Sequence, residues 1–153
     1  MTHSNLFQAD SILLNMESND ADGILQSLAD GLVSMDSSLA SRRDEIYQAL
    51  SAREQRGSTG TDGVGIPHVK LPGIDKAYAI LGVHQGGIDF AALDGEPVHV
   101  FFSVLRPEDG PEEHIDLLRW IAGIAQHEDF VSFALQAQDG KSILELLSEL
   151  ATA

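Results

Sequence analysis

Cysteine is absent from this chain. Its absence removes disulfides, thiolate metal ligands and a thiol nucleophile, and it fits a reducing compartment. Long apolar runs are absent too, and no stretch approaches the ~20 residues that a membrane-spanning helix needs. Residues 1–7 hold neither a basic stretch nor an apolar core, so they do not read as a secretory signal. Basic residues are scarce, 9 against 24 acidic, which leaves a net charge of −15. Nucleic acid and anionic lipid repel such a chain. The expectation is therefore a cytoplasmic protein with no nucleic-acid partner and no stable membrane insertion. The excess acid serves solubility, suits a salty habitat, or draws in a basic partner.

What is present suffices for a core. With 153 residues and 43% hydrophobic content, the chain suits one domain spanning residues 1–153. Helical and extended patterns alternate, which argues for an α/β fold. The apolar run at residues 11–16 reads as an edge strand. Asn19 or Asp20 then caps a helix whose apolar positions are Ile24, Leu25, Leu28 and Leu32. A second helix is expected over residues 41–56, with Ser41 and Asp44 at capping-box spacing and Gly57 as its C-terminal glycine.

Farther on, residues 77–84 are apolar on both faces, as in a buried strand. Gln85-Gly86-Gly87 and Asp94-Gly95 read as turns. Residues 98–105 give the clearest strand, and residues 106–111 a loop. Pro111 suits the start of a helix reaching Gln126, with Ile115, Leu118, Ile121, Ala122 and Ala125 as its apolar positions. Two shorter helices follow, over residues 129–137 and 141–150. The sum is a mixed sheet with helices on both faces.

His68 stands out chemically. It follows a glycine-rich stretch, residues 57–65, and an Ile66-Pro67 step. Glycines let a phosphate or a partner backbone come close, and proline fixes the entry to the histidine. A neutral imidazole near pH 7 is a competent nucleophile. On these features alone a purely structural turn histidine is the more economical reading. His114 falls in the first turns of the late helix, whose positive end favours a neutral ring and attracts phosphate. Glu112 and Glu113 oppose both effects, and a plain surface histidine fits as well. Arg53, on the last turn of the second helix, suits either that helix terminus or a phosphoryl group. Ser58 and Thr59 could donate to the same group or simply hold the turn. Asp62, Glu112 and Glu113 would oppose an incoming phosphate, while Arg53 and Arg106 would offset them. Of the remaining histidines only His84 is kept in reserve.

In their order and spacing these segments resemble the EIIA domains of the bacterial phosphoenolpyruvate-dependent phosphotransferase system, in the fructose–mannitol class that includes the nitrogen-regulatory branch. The likeness runs over residues 42–150. It rests on Arg53-Glu54, Ser58-Thr59-Gly60 and Gly63-Val64-Gly65-Ile66-Pro67-His68. Residues 88–95 with Pro97-Val98, then Pro107 and Glu113-His114-Ile115, complete it. The loop before the histidine is one residue shorter than the family pattern, and Thr61-Asp62 replaces part of its glycine run.

The resemblance implies a five-stranded mixed sheet with helices on both faces. It implies a phosphotransferase working through phosphohistidine, with no cofactor and no metal. His68 would accept phosphate from the carrier HPr, His114 would assist by hydrogen-bonding the phosphoryl group, and Arg53 would lie near it. The group would pass to a sugar-specific EIIB. Alternatively, as in the nitrogen branch, the phosphorylation state would control binding to target proteins.

Overall fold

The computed structural model describes residues 6–108 and 113–151, with the side chains of Ala9, Glu113, His114 and Ala151 outside the description. Five strands form one mixed sheet: β1 (Ile12–Leu13), β2 (Val64–Gly65), β3 (His68–Leu71), β4 (Tyr78–Ile88) and β5 (Val98–Pro107). β4 and β5 pair antiparallel at its centre. β1 lies parallel to β4 on one edge. β2 and β3 both lie parallel to β5 on the other edge, one after the other along it. Pro67 sits at the break between them, where a residue without an N–H interrupts the ladder least.

Helices cover both faces: α1 (Ala21–Ser34) and α2 (Arg43–Gln55) on one, α3 (Glu113–Ala125), α4 (Phe130–Gln136) and α5 (Gly140–Ala151) on the other. Because strand side chains alternate, β4 and β5 serve two separate cores. Ile80, Phe101 and Leu105 pack with α1 and α2, while Leu81, Phe102 and Val104 pack with α3, α4 and α5. Among the described residues no helix is long and apolar enough to cross a membrane.

Local chemistry sets the boundaries. Asp20 caps α1, its Oδ1 accepting from the Gly23 N–H at 2.8 Å, and Ile24, Leu25, Leu28 and Leu32 are buried as the spacing predicts. The capping box at Ser41 and Asp44 does not form. Ser37–Arg42 winds as a 3₁₀ turn, with Asp36 accepting from the Ser38 N–H at 3.0 Å, and runs directly into α2. A helix continued from a 3₁₀ turn already has carbonyls behind its first N–H groups, so a side-chain cap has little left to satisfy.

Three further expectations are corrected. Gln85-Gly86-Gly87 is no turn, because β4 continues through it as a bulge. Five steps on β4, from Val83 to Ile88, match two on β5, from Val100 to Val98. Gly87 has φ +75° and packs against the His99 ring, which a Cβ there would meet at 2.7 Å. The reversal comes at Asp94-Gly95, where the Gly95 N–H donates to the Ala92 carbonyl at 3.0 Å.

On α3 the buried stripe is Leu117, Ile121 and Ile124, while Ile115 is 47% exposed. Apolar residues surround this helix so fully that spacing leaves its phase open; the sheet decides it. The strand before it also runs farther than expected, so Arg106 and Pro107 belong to β5 and not to a loop.

Candidate functional site

The site is built where α2 hands over to β3. The helix ends at Gln55 with Arg56 as its C-cap, and the Gly57 N–H donates to the Glu54 carbonyl at 3.1 Å with φ +149°, a backbone state that favours glycine. Nη1 of Arg53 donates to the Gly57 carbonyl at 2.9 Å. Ser58 Oγ donates to the Phe90 carbonyl at 2.8 Å and accepts from the Gly60 N–H at 3.0 Å. Thr59 Oγ1 donates to Glu54 Oε1 at 2.6 Å and accepts from the Ile66 N–H at 2.9 Å. Both hydroxyl protons are thus committed to the protein itself. Of the two roles open to Ser58 and Thr59, holding the turn is the one they take.

The shortened loop closes as a two-residue hairpin. Thr61 and Val64 exchange both backbone hydrogen bonds, at 2.9 and 3.0 Å, across Asp62 (φ +55°) and Gly63 (φ +80°). An Asp-Gly pair is the usual chemistry of such a turn. The Asp62 N–H donates to Asp94 Oδ2 at 2.9 Å, which ties the hairpin to the β4–β5 connection.

His68 opens β3 with its ring half-buried. Nδ1 lies 2.6 Å from the Ile66 carbonyl oxygen. A carbonyl only accepts, so Nδ1 carries the proton and Nε2 keeps the lone pair. Burial holds the ring's pKa below the ordinary histidine value. The Ile66 contact and Glu54 pull it upward, while the Arg53 and Arg106 charges push it further down. Near pH 7 the ring is therefore neutral, with its nucleophilic nitrogen fixed.

Around it lies a cleft of about 310 Å³ lined by Arg53, Arg56, Lys70 and Arg106 along with His68. Four of the nine basic residues of a chain carrying −15 converge here. Locally this reverses the bulk charge and suits a dianion. A larger cleft of about 600 Å³ between β1 and α1 is lined by Glu17 and Asp30 and holds no histidine and no cation.

Of the residues singled out in the sequence, His68, Arg53 and Arg106 line this one cleft. His114 falls in the first turn of α3, but its side chain lies outside the described residues. His84 is held structurally, its Nε2 donating to the Ser18 carbonyl at 2.8 Å. Arg56 and Lys70 went unassigned. Lys70 carried a usable signal, because residues two apart on a strand share a face.

The model of the family described as "Phosphoenolpyruvate-dependent sugar phosphotransferase system, EIIA 2" matches residues 5–150. The chain belongs to this family. A fructose-specific EIIA component of Haloferax volcanii is 30% identical over 141 residues, 90% of each chain. A nitrogen regulatory protein of Pseudomonas aeruginosa is 35% identical over 106 residues, 69% of each. Among solved structures, the nitrogen regulatory protein IIA-Ntr of Neisseria meningitidis superposes with a TM-score of 0.86. It is 25% identical, and the match covers 94% of this chain and 97% of that one. Membership makes the chain a component of the sugar phosphotransferase system, and the five-stranded fold agrees with that of its structural neighbour.

Proposed function

We propose that the chain carries a phosphoryl group on Nε2 of His68, received from phospho-HPr and passed to an EIIB. The observation that carries this reading is the Nδ1–H of His68 bound to the Ile66 carbonyl inside a cleft of four cations. The Nε2 lone pair forms the new N–P bond. The N–P bond of the donor breaks, and its electron pair returns to the donor's ring. The Nδ1 proton of His68 stays in place, and the Ile66 carbonyl stabilises the positive charge that the phosphorylated ring acquires. Onward transfer runs the same way in reverse, so neither step needs an external proton. Catalysis then reduces to positioning and to offsetting charge on the transferring group. Arg53 supplies part of that offset, and His114 assists from the start of α3.

The test is incubation with phosphoenolpyruvate, Enzyme I and HPr, comparing wild type with His68→Ala. Acid-labile phosphate should appear in the wild type and vanish in the variant. Undiminished phosphate in the variant overturns the assignment.

The likeness to nitrogen regulatory proteins, in sequence and in fold, favours a second reading. There the phosphorylation state of His68 governs contact with a regulatory target, and no sugar moves. Failure of the phosphorylated chain to hand its group to any EIIB, together with phosphate-dependent capture of a defined target, selects this reading.

A further inference from the structure

We propose that Arg106 is a second guanidinium that grips the phosphoryl group on His68, facing Arg53 across it. The proposal rests on His68 being the acceptor. Arg106 stands near the end of β5, beside the strand that carries the histidine: His68 pairs with Val104, and Lys70 with Arg106. It lines the same cleft. Arg53 reaches that cleft from α2 and Arg106 from the sheet, so the two cations approach His68 from different elements.

The state of the Arg106 side chain is the second observation. Its Nε is buried and donates to nothing among the described residues. Other arginines are engaged: Arg42 with Glu45, Arg43 with Asp30, Arg119 with Asp116, and Arg53 with the Gly57 carbonyl. A buried N–H without an acceptor is costly, and folded proteins rarely keep one without a reason. Nε–H with the adjacent Nη–H forms the edge of a guanidinium that takes two oxygens at once. A tetrahedral phosphoryl group on Nε2 of His68 presents such oxygens. Its two negative charges then meet two guanidinium groups. Lys70, a point charge, cannot replace the fork.

The experiment uses the full chain with phosphoenolpyruvate, Enzyme I and HPr, and compares wild type, R106Q and R106K. Phosphorylation of R106Q should slow by about ten- to a hundredfold, the loss of one charged hydrogen-bonding group. The loss should fall on kcat and leave the KM for phospho-HPr unchanged, because Arg106 acts on the transferring group and not on the partner. R106K should recover only part of the rate. In R106Q the His68 ring should also titrate at higher pH than in wild type, as a nearby positive charge is removed. A wild-type rate in R106Q overturns the proposal, and so does an effect confined to KM. Should R106Q fail to fold, a folded R106K working at the wild-type rate overturns it equally. Absence of phosphate uptake by the wild type itself refutes the reading of His68 instead.

Discussion

The hydroxyl of Thr59 joins Glu54 to Ile66: it donates to Glu54 Oε1 at 2.6 Å and accepts the Ile66 N–H at 2.9 Å. One oxygen therefore connects the helix bearing Arg53 to the residue whose carbonyl orients His68. Thr59→Val keeps the shape and strands both partners. Loss of about 1–3 kcal/mol in a denaturant titration is expected, along with slower phosphate uptake. Thr59→Ser should restore both, and unaltered stability and uptake in the valine variant would reject this linkage.

The direction of the His68 shift gives a pH prediction. Because the folded ring binds a proton less readily than an ordinary histidine, the unfolded chain protonates first as pH falls below about 6.5. Stability should decline there and level off once the folded ring protonates too. Phosphate uptake should persist below the ordinary histidine range, because Nε2 stays free. A ring titration by NMR checks this, and a midpoint at or above 6.5 contradicts it.

On the proposed reading, His114 assists the transfer while His68 carries the group. His114→Ala should still take up phosphate but deliver it to EIIB more slowly by about one to two decades, since a charged hydrogen bond is worth roughly 1.5–3 kcal/mol. Transfer at the wild-type rate would remove His114 from the site.

Asp62 holds a left-handed turn and also places a carboxylate on the loop. The two roles separate by substitution. Asp62→Asn keeps a residue that tolerates this conformation and should speed phosphate arrival modestly by removing one repulsive charge. Asp62→Val forces a β-branched residue to positive φ and should cost about 1 kcal/mol or more. Equal stability of the two variants in thermal melts would show that the turn does not depend on residue 62.

Much of this architecture was legible in the chain because the signals were local. Asp20 capping α1, Gly57 closing α2 and the continuous apolar run of β5 each depend on a few neighbouring residues. Where tertiary packing decides, sequence reading failed. The phase of α3 was set by the sheet beneath it. Gly86-Gly87 served a bulge because β5 continued alongside, and Ser41 lost its capping role to a 3₁₀ turn begun at Ser37. The site divides similarly. Motif and helix position single out His68 and Arg53, and the fold sets both on one cleft. Arg56 and Lys70 emerged only when α2 and β3 closed on one cleft, and the unspent Nε of Arg106 is visible only with its surroundings in place.

The two cores on opposite faces of the sheet divide responsibility for the chemistry. Val69, next to His68, packs with α1 and α2, the layer that also carries Arg53. The helix bearing His114 is seated by Leu117, Ile121 and Ile124 in the other layer. A volume change beneath α3 therefore shifts His114 relative to His68, while one beneath α2 moves His68 and Arg53 together. On the proposed reading, loading and unloading of the carrier would then be adjustable separately, each through substitutions far from the reacting atoms.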